Sequence, residues 1–132
     1  MKHSDIRAAT LTALKRSITG NVTWFDGRPA FIDEQDLPAV AVYLTEARSS
    51  DESIDEDLWS AILHIEVFLK AISPDSALDE WMEGNVYPVL GDIPELAGLI
   101  ETMSPLGYDY QRDDEAMLWG SADLSYSINY VM

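Results

Sequence analysis

Cysteine is absent from the 132 residues, which rules out disulfide bonds and thiolate chemistry and is compatible with a reducing compartment. Positive charge is scarce. Eight Lys and Arg stand against 24 Asp and Glu, a formal net charge of −16. That balance argues against nucleic acid as a partner, because phosphate contacts need clustered bases. It argues equally against docking on an anionic membrane surface. No stretch approaches the roughly 18 apolar residues of a membrane-spanning helix. The start, Met-Lys-His-Ser-Asp-Ile-Arg, holds no apolar segment of signal-peptide length, so no leader is expected. Only two histidines occur, His3 and His64, and neither has a second His spaced to share a metal with it.

What the chain does have is apolar residues, 47% of the total and spread throughout, enough for the core of one domain over residues 1–132. The charge is uneven. Residues 1–30 hold five bases against two acids, whereas the rest of the chain holds three against 22. Two readings are open. The acids keep the protein in solution, or a bipolar protomer packs basic surface against acidic surface in a ring.

The spacing predicts a first helix from a Ser4 N-cap, with Asp5 in its first turn and Ile6, Ala9, Ala13, Leu14 and Ile18 along one side, ending at Thr19-Gly20-Asn21. Val22 to Phe25 reads as a short strand, Asp26 to Pro29 as a turn, and Ala30 to Ile32 as a second short strand. Asp33 to Asp36 is an acidic loop. Ala39 to Thr45 is apolar on both faces, which places that strand centrally. Ala47 to Asp57 is acidic and reads as a mobile hairpin loop. In the next strand Trp59, Ala61, Leu63, Ile65, Val67 and Leu69 face one way, with Ser60, His64 and Glu66 opposite. Ser73 to Ser76 turns into a second helix with an apolar stripe of Leu78, Trp81, Met82, Val86, Val89 and Leu90, which Pro88 ends or kinks. A third helix is predicted from Asp92, carrying Leu96, Leu99, Ile100 and Met103 and stopped by Pro105 and Gly107. Leu106 to Gln111 has strand character. The last strand alternates most cleanly, with Leu118, Ala122, Leu124, Tyr126, Ile128 and Tyr130 on one face and Ser121, Asp123, Ser125, Ser127 and Asn129 on the other. The expected fold is α/β of the α+β kind, a mostly antiparallel or mixed sheet with helices packed on one face.

Catalytic and cofactor patterns are missing. No Gly-x-Ser-x-Gly elbow presents a serine, and no glycine-rich loop has phosphate-binding spacing. Asp55-Glu56-Asp57 and Asp113-Asp114-Glu115 lack the alternating ligands of a calcium loop and read as solvated charge, although a carboxylate site around Asp113 and Asp114 is the enzymatic alternative. No cofactor is expected. His64 reads as a polar strand histidine. Asp75 either caps the second helix or, where copies meet at a symmetric interface, holds a cation or a neighbour's base. Trp119 projects from the polar face of the last strand, and either packs beneath a loop or meets a partner. The interface candidates are Arg28, Asp75, Arg112 and Trp119.

Several segments also resemble a known family. They are Met-Lys-His at 1–3, Phe25 to Ala30, Asp36 to Thr45, Leu63-His-Ile-Glu-Val-Phe-Leu69, Pro74-Asp-Ser76, Trp81-Met-Glu83, Tyr87-Pro-Val89, Asp92-Ile-Pro94, Gly107-Tyr-Asp-Tyr110, Arg112-Asp-Asp114, Ser121-Ala-Asp-Leu124 and Tyr130 to Met132. In this order they resemble the phage minor tail protein U family, the lambda-type tail terminators. The match is poorest over Lys15 to Thr23 and Ala47 to Glu56. The resemblance implies a non-enzymatic homo-hexamer that forms a ring on the head-proximal end of the tail tube. Its implied partners are the tail tube protein and a head-tail joining protein, and its place is the virion tail, assembled in the host cytoplasm. Acidic protomers repel at close range, so a divalent cation such as magnesium, or moderate salt, is expected to promote oligomerisation. The alternative is a small acidic protein-binding adaptor that forms no ring.

Overall fold

The computed structural model describes residues 1–50 and 56–132. Helix α1 (Lys2–Ser17) starts one turn earlier than its cap residue suggested. Met1 is the N-cap, and Ser4 lies inside the helix, where its hydroxyl donates to the Met1 carbonyl. Its core side holds Ile6, Leu11 and Leu14, plus Thr10, whose hydroxyl donates back to the Ile6 carbonyl at 3.0 Å and so is buried without cost in hydrogen bonding. Gly20, at φ +104°, turns the chain into β1 (Thr23–Asp26).

Strand β1 runs parallel to β2 (Ala39–Ser49). A parallel pair needs a crossover of about a dozen residues, so the chain must travel back before β2 can begin. For that reason Ala30 to Ile32 is not the return strand its sequence suggested. It belongs to a loop crossing the open face of the sheet, braced by a 3₁₀ turn (Glu34–Asp36) whose cap residue Asp33 and whose Asp36 hydrogen-bond reciprocally. Ala39 and Ala41 are fully buried beneath it.

Strand β3 (Leu58–Lys70) pairs antiparallel with β2 and with β5 (Trp119–Val131), and β4 (Thr102–Arg112) pairs antiparallel with β5. The order is β1-β2-β3-β5-β4, a mixed sheet with β3 at its centre. Strand β2 is interior and buried on both faces through Tyr43, as its two apolar faces implied. Residues 47–49, expected in a loop, extend β2 past a bulge between Thr45 and Arg48. The centre of that expected acidic loop, residues 51–55, lies outside the described residues.

Helix α2 (Asp75–Trp81) passes through a π-helical turn (Met82–Val86) into α3 (Tyr87–Leu90). Two causes meet here. Pro88 has no N–H and its ring crowds the carbonyl four residues back, which a wider turn relieves. The buried stripe Leu78, Met82, Val86 and Leu90 also has a strict four-residue spacing. An ideal α-helix rotates such a stripe off the core, and the wider turn rotates it back.

The expected third helix is not formed. Only a 3₁₀ turn (Pro94–Leu96) appears, and from Glu101, whose amide donates to the Asn129 carbonyl at 2.7 Å, the chain is drawn into pairing with β5. Leu96 is still buried, so the spacing reported burial and not helix. Pro105 does not stop an element. It lies within β4, beside a bulge before Gly107, and an edge strand tolerates it because one of its sides carries no ladder bonds.

The helices cover one face of the sheet, as expected for the α+β class. The main core joins Ile6, Leu14, Leu78, Met82 and Val86 to the predicted inward stripes of β3 and β5. A smaller cluster of Ile32, Ala39, Ala41, Tyr43 and Phe68 lies on the other face, beneath the crossover loop.

Candidate functional site

The open face of the sheet carries a buried polar cluster. Strand alternation places Tyr43 and Thr45 of β2, His64 and Glu66 of β3, and Ser121 and Asp123 of β5 on that face. Cross-strand register then sets Ala41 against Glu66, Tyr43 against His64, and Glu66 against Asp123. Glu66 is fully buried. Its Oε1 accepts from the Tyr43 hydroxyl at 2.9 Å and from Arg28 Nε at 3.3 Å, and its Oε2 accepts from the Ser121 hydroxyl at 2.6 Å. The Tyr43 hydroxyl also lies 3.3 Å from Asp123 Oδ2, so one proton is shared between two carboxylates. Burial, then the Glu66 and Asp123 carboxylates, push the Tyr43 phenol far above its ordinary range. Burial opposes the charge on Arg28, but Glu66 and Tyr43 outweigh it and raise that guanidinium.

His64 completes the cluster. Nδ1 lies 2.9 and 3.1 Å from the two Asp123 oxygens, and Nε2 lies 2.6 Å from the Thr45 hydroxyl. In the neutral ring Nδ1–H donates to Asp123 and Nε2 accepts from Thr45. The Tyr43 ring stacks on the imidazole, centroids 4.6 Å apart and 6° from parallel. A Thr–His–Asp line has the atoms of a nucleophilic relay. Here it is a cross-strand ladder. Thr45 sits opposite Ile62 in the β2–β3 pairing, so its hydroxyl meets His64 across two neighbouring strands of one sheet face. Both imidazole nitrogens are engaged, and among the described residues no three His, Asp or Glu side chains converge to hold a metal ion. No buried side-chain polar atom among them lacks a partner. The cluster satisfies itself and tacks the crossover loop onto three strands.

Of the interface candidates, Arg28 belongs to this cluster through Glu66, whereas Asp75, Arg112 and Trp119 lie at the end of the sheet where β3 and β4 finish and β5 begins. Asp75 does not cap α2. Pro74 is the N-cap residue, without a side-chain cap bond, and Asp75 pairs with Arg112 Nη2 at 2.5 Å. Arg112 lies across Gly120, its partner in register. A Cβ on Gly120 would sit 2.5 Å from Arg112 Nη1, so glycine there leaves room for the reach to Asp75. Trp119 is partly buried, meeting Phe68 edge-on at 5.0 Å and 85° beside the crossover loop that Arg28 anchors. Asp113 is not a catalytic carboxylate. Its oxygens accept from the amides of Leu118, Ala116 and Glu115, which hold it below the usual carboxylate range and clasp the β4–β5 turn.

The sequence reading missed Tyr43, Glu66, Ser121 and Asp123 as one cluster. The signal was a glutamate inside the apolar run Ile65 to Leu69. Which residues it would meet depended on register between strands more than 50 positions apart in the chain. His3 sits in α1, and its Nε2 lies 2.6 Å from the buried Tyr130 hydroxyl.

The family model described as Phage minor tail protein U matches residues 1–130, and the chain belongs to that family. It is 60% identical over 132 residues to the tail tube terminator protein of Escherichia phage lambda, and 59% identical to that of Escherichia phage N15. Each alignment covers 100% of both chains. The chain is therefore a phage tail protein of the terminator type and not an enzyme.

Proposed function

We propose that this chain, as one domain over residues 1–132, forms a hexameric ring on the head-proximal end of the tail tube, stops tube polymerisation and offers the surface that joins the head. The full-length identity to two proteins named tail tube terminators carries the reading. A tube grows by repeating one head-to-tail contact, and growth stops when a layer presents a different face. Such a cap needs shape and charge complementarity alone. The tube protein and a head-tail joining protein are its partners, and it acts in the virion after assembly in the host cytoplasm.

Charge sets how the ring forms. The bases of the N-terminal segment are largely spent inside the protomer. Arg7 pairs with Asp26, Arg16 with Glu95 and Arg28 with Glu66, and Lys2 donates to the Leu99 carbonyl. Packing of a free basic surface against an acidic one is thereby weakened, and neighbouring protomers meet as acidic bodies. Magnesium or moderate salt then promotes assembly by screening that repulsion. Sedimentation and electron microscopy of the purified protein across a magnesium and salt series test this. Sixfold rings that grow in population with either are expected, and indifference to both refutes the reading.

A further inference from the structure

Three of the most exposed apolar side chains gather at the end of the sheet that holds Trp119. Ile72 is 90% exposed, Phe31 79% and Met117 76%. Ile72 and Met117 line one hollow of about 520 Å³ together with Trp119, and Trp119 also lines a smaller hollow beside Phe31, so the three belong to one patch. Each sits on a braced turn. The Ile72 turn is tied to the turn before β5 by the Ala71 amide, which donates to the Leu118 carbonyl at 3.0 Å. Met117 holds a left-handed backbone, φ +55°, which costs a residue with a side chain, and the Asp113 clasp maintains it. Phe31 rides on the crossover loop, fixed by Arg28 on Glu66 and by buried Ile32. Exposed apolar groups on rigid supports are what an interface anchor requires, since little ordering entropy is then lost on binding.

The rim gives the partner's chemistry. Asp33 and Glu34 follow Phe31 in its loop, and Asp114 lines the Ile72–Met117 hollow. Arg28 and Arg112 are committed to Glu66 and Asp75. A second copy meeting this end with its own like end would bring these acids face to face, and an anionic membrane would be repelled for the same reason; contact with a different surface of a neighbouring copy is the outcome that the self-association readout tests. We propose that Phe31, Ile72 and Met117 form the face that docks on the end of the tail tube, against apolar sockets rimmed by Lys and Arg. This deepens the terminator reading and rests on it.

The test uses tail tubes isolated from lysates lacking this chain, with binding read by co-sedimentation. Wild-type protein is expected to bind, more weakly as salt rises. The variant carrying Phe31→Ser, Ile72→Ser and Met117→Ser is expected to lose about tenfold or more in affinity with its thermal melt and oligomeric state unchanged. Asp114→Lys alone is expected to weaken binding in the same direction. A variant with Tyr87→Ser and Leu106→Ser, exposed apolar residues outside this patch, is expected to bind as wild type. Normal binding by the triple variant overturns the docking face, as does loss of self-association in that variant, which would make the patch a contact between copies. Failure of wild type to bind the tubes overturns the terminator reading itself, and the docking face with it.

Discussion

Tyr43 shows how a residue can matter through one hydrogen atom. Its hydroxyl lies between Glu66 and Asp123, and both carboxylates are buried. Tyr43→Phe keeps the ring stacked on His64 but removes the donor they share. We expect a loss of about 1 kcal/mol in urea unfolding, the net worth of one buried hydrogen bond, because Arg28 still donates to Glu66 and His64 still meets Asp123. An unchanged midpoint would mean the pair does not need that proton. Asp113 makes a prediction of opposite visibility, since it is exposed. Its carboxyl is held below the ordinary range by three backbone amides. A depressed folded value contributes stability above the unfolded value and loses it as pH falls through the folded one. Asp113→Ala is therefore expected to be less stable than wild type at neutral pH, with the difference vanishing in acid. Equilibrium unfolding of both proteins from neutral pH downward reads this directly.

Among the elements, the sequence was most legible where alternation was long. The inward faces of β3 and β5 were readable residue by residue, because each strand has 13 residues and keeps its apolar side chains on alternate positions. It was least legible where tertiary pairing overrode local spacing. Leu96 and Ile100 carry helical spacing, yet pairing of Glu101 and Thr102 with Asn129 ends any helix first. The segment Ala30 to Ile32 looked like a returning strand, but nothing local announces that β1 and β2 are parallel. The site candidates were individually legible, Arg28, Asp75 and Arg112 in turns and Trp119 on the polar face of the last strand, whereas the placing of Arg112 across Gly120 toward Asp75 required the β4–β5 register. That register makes its own prediction. Gly120→Ala is expected to push Arg112 off Asp75 while costing under about 1 kcal/mol, because the pair is exposed. A much larger loss in urea unfolding would show that Arg112 supports the β4–β5 pairing itself.

For the whole molecule, the proposed ring has to form between protomers that carry a balance of −16 and use most of their bases internally. If Asp75 takes part in that meeting through a cation or a neighbour's base, Asp75→Ala weakens assembly and blunts its response to magnesium. Unchanged assembly confines Asp75 to its pair with Arg112. The central claim, that this chain ends the growth of a tail tube, is tested most directly by electron microscopy of tails from lysates that lack it. Overlong tails of irregular length, restored to one length when the chain is supplied, are the predicted result. Uniform tails of normal length in its absence would contradict the account.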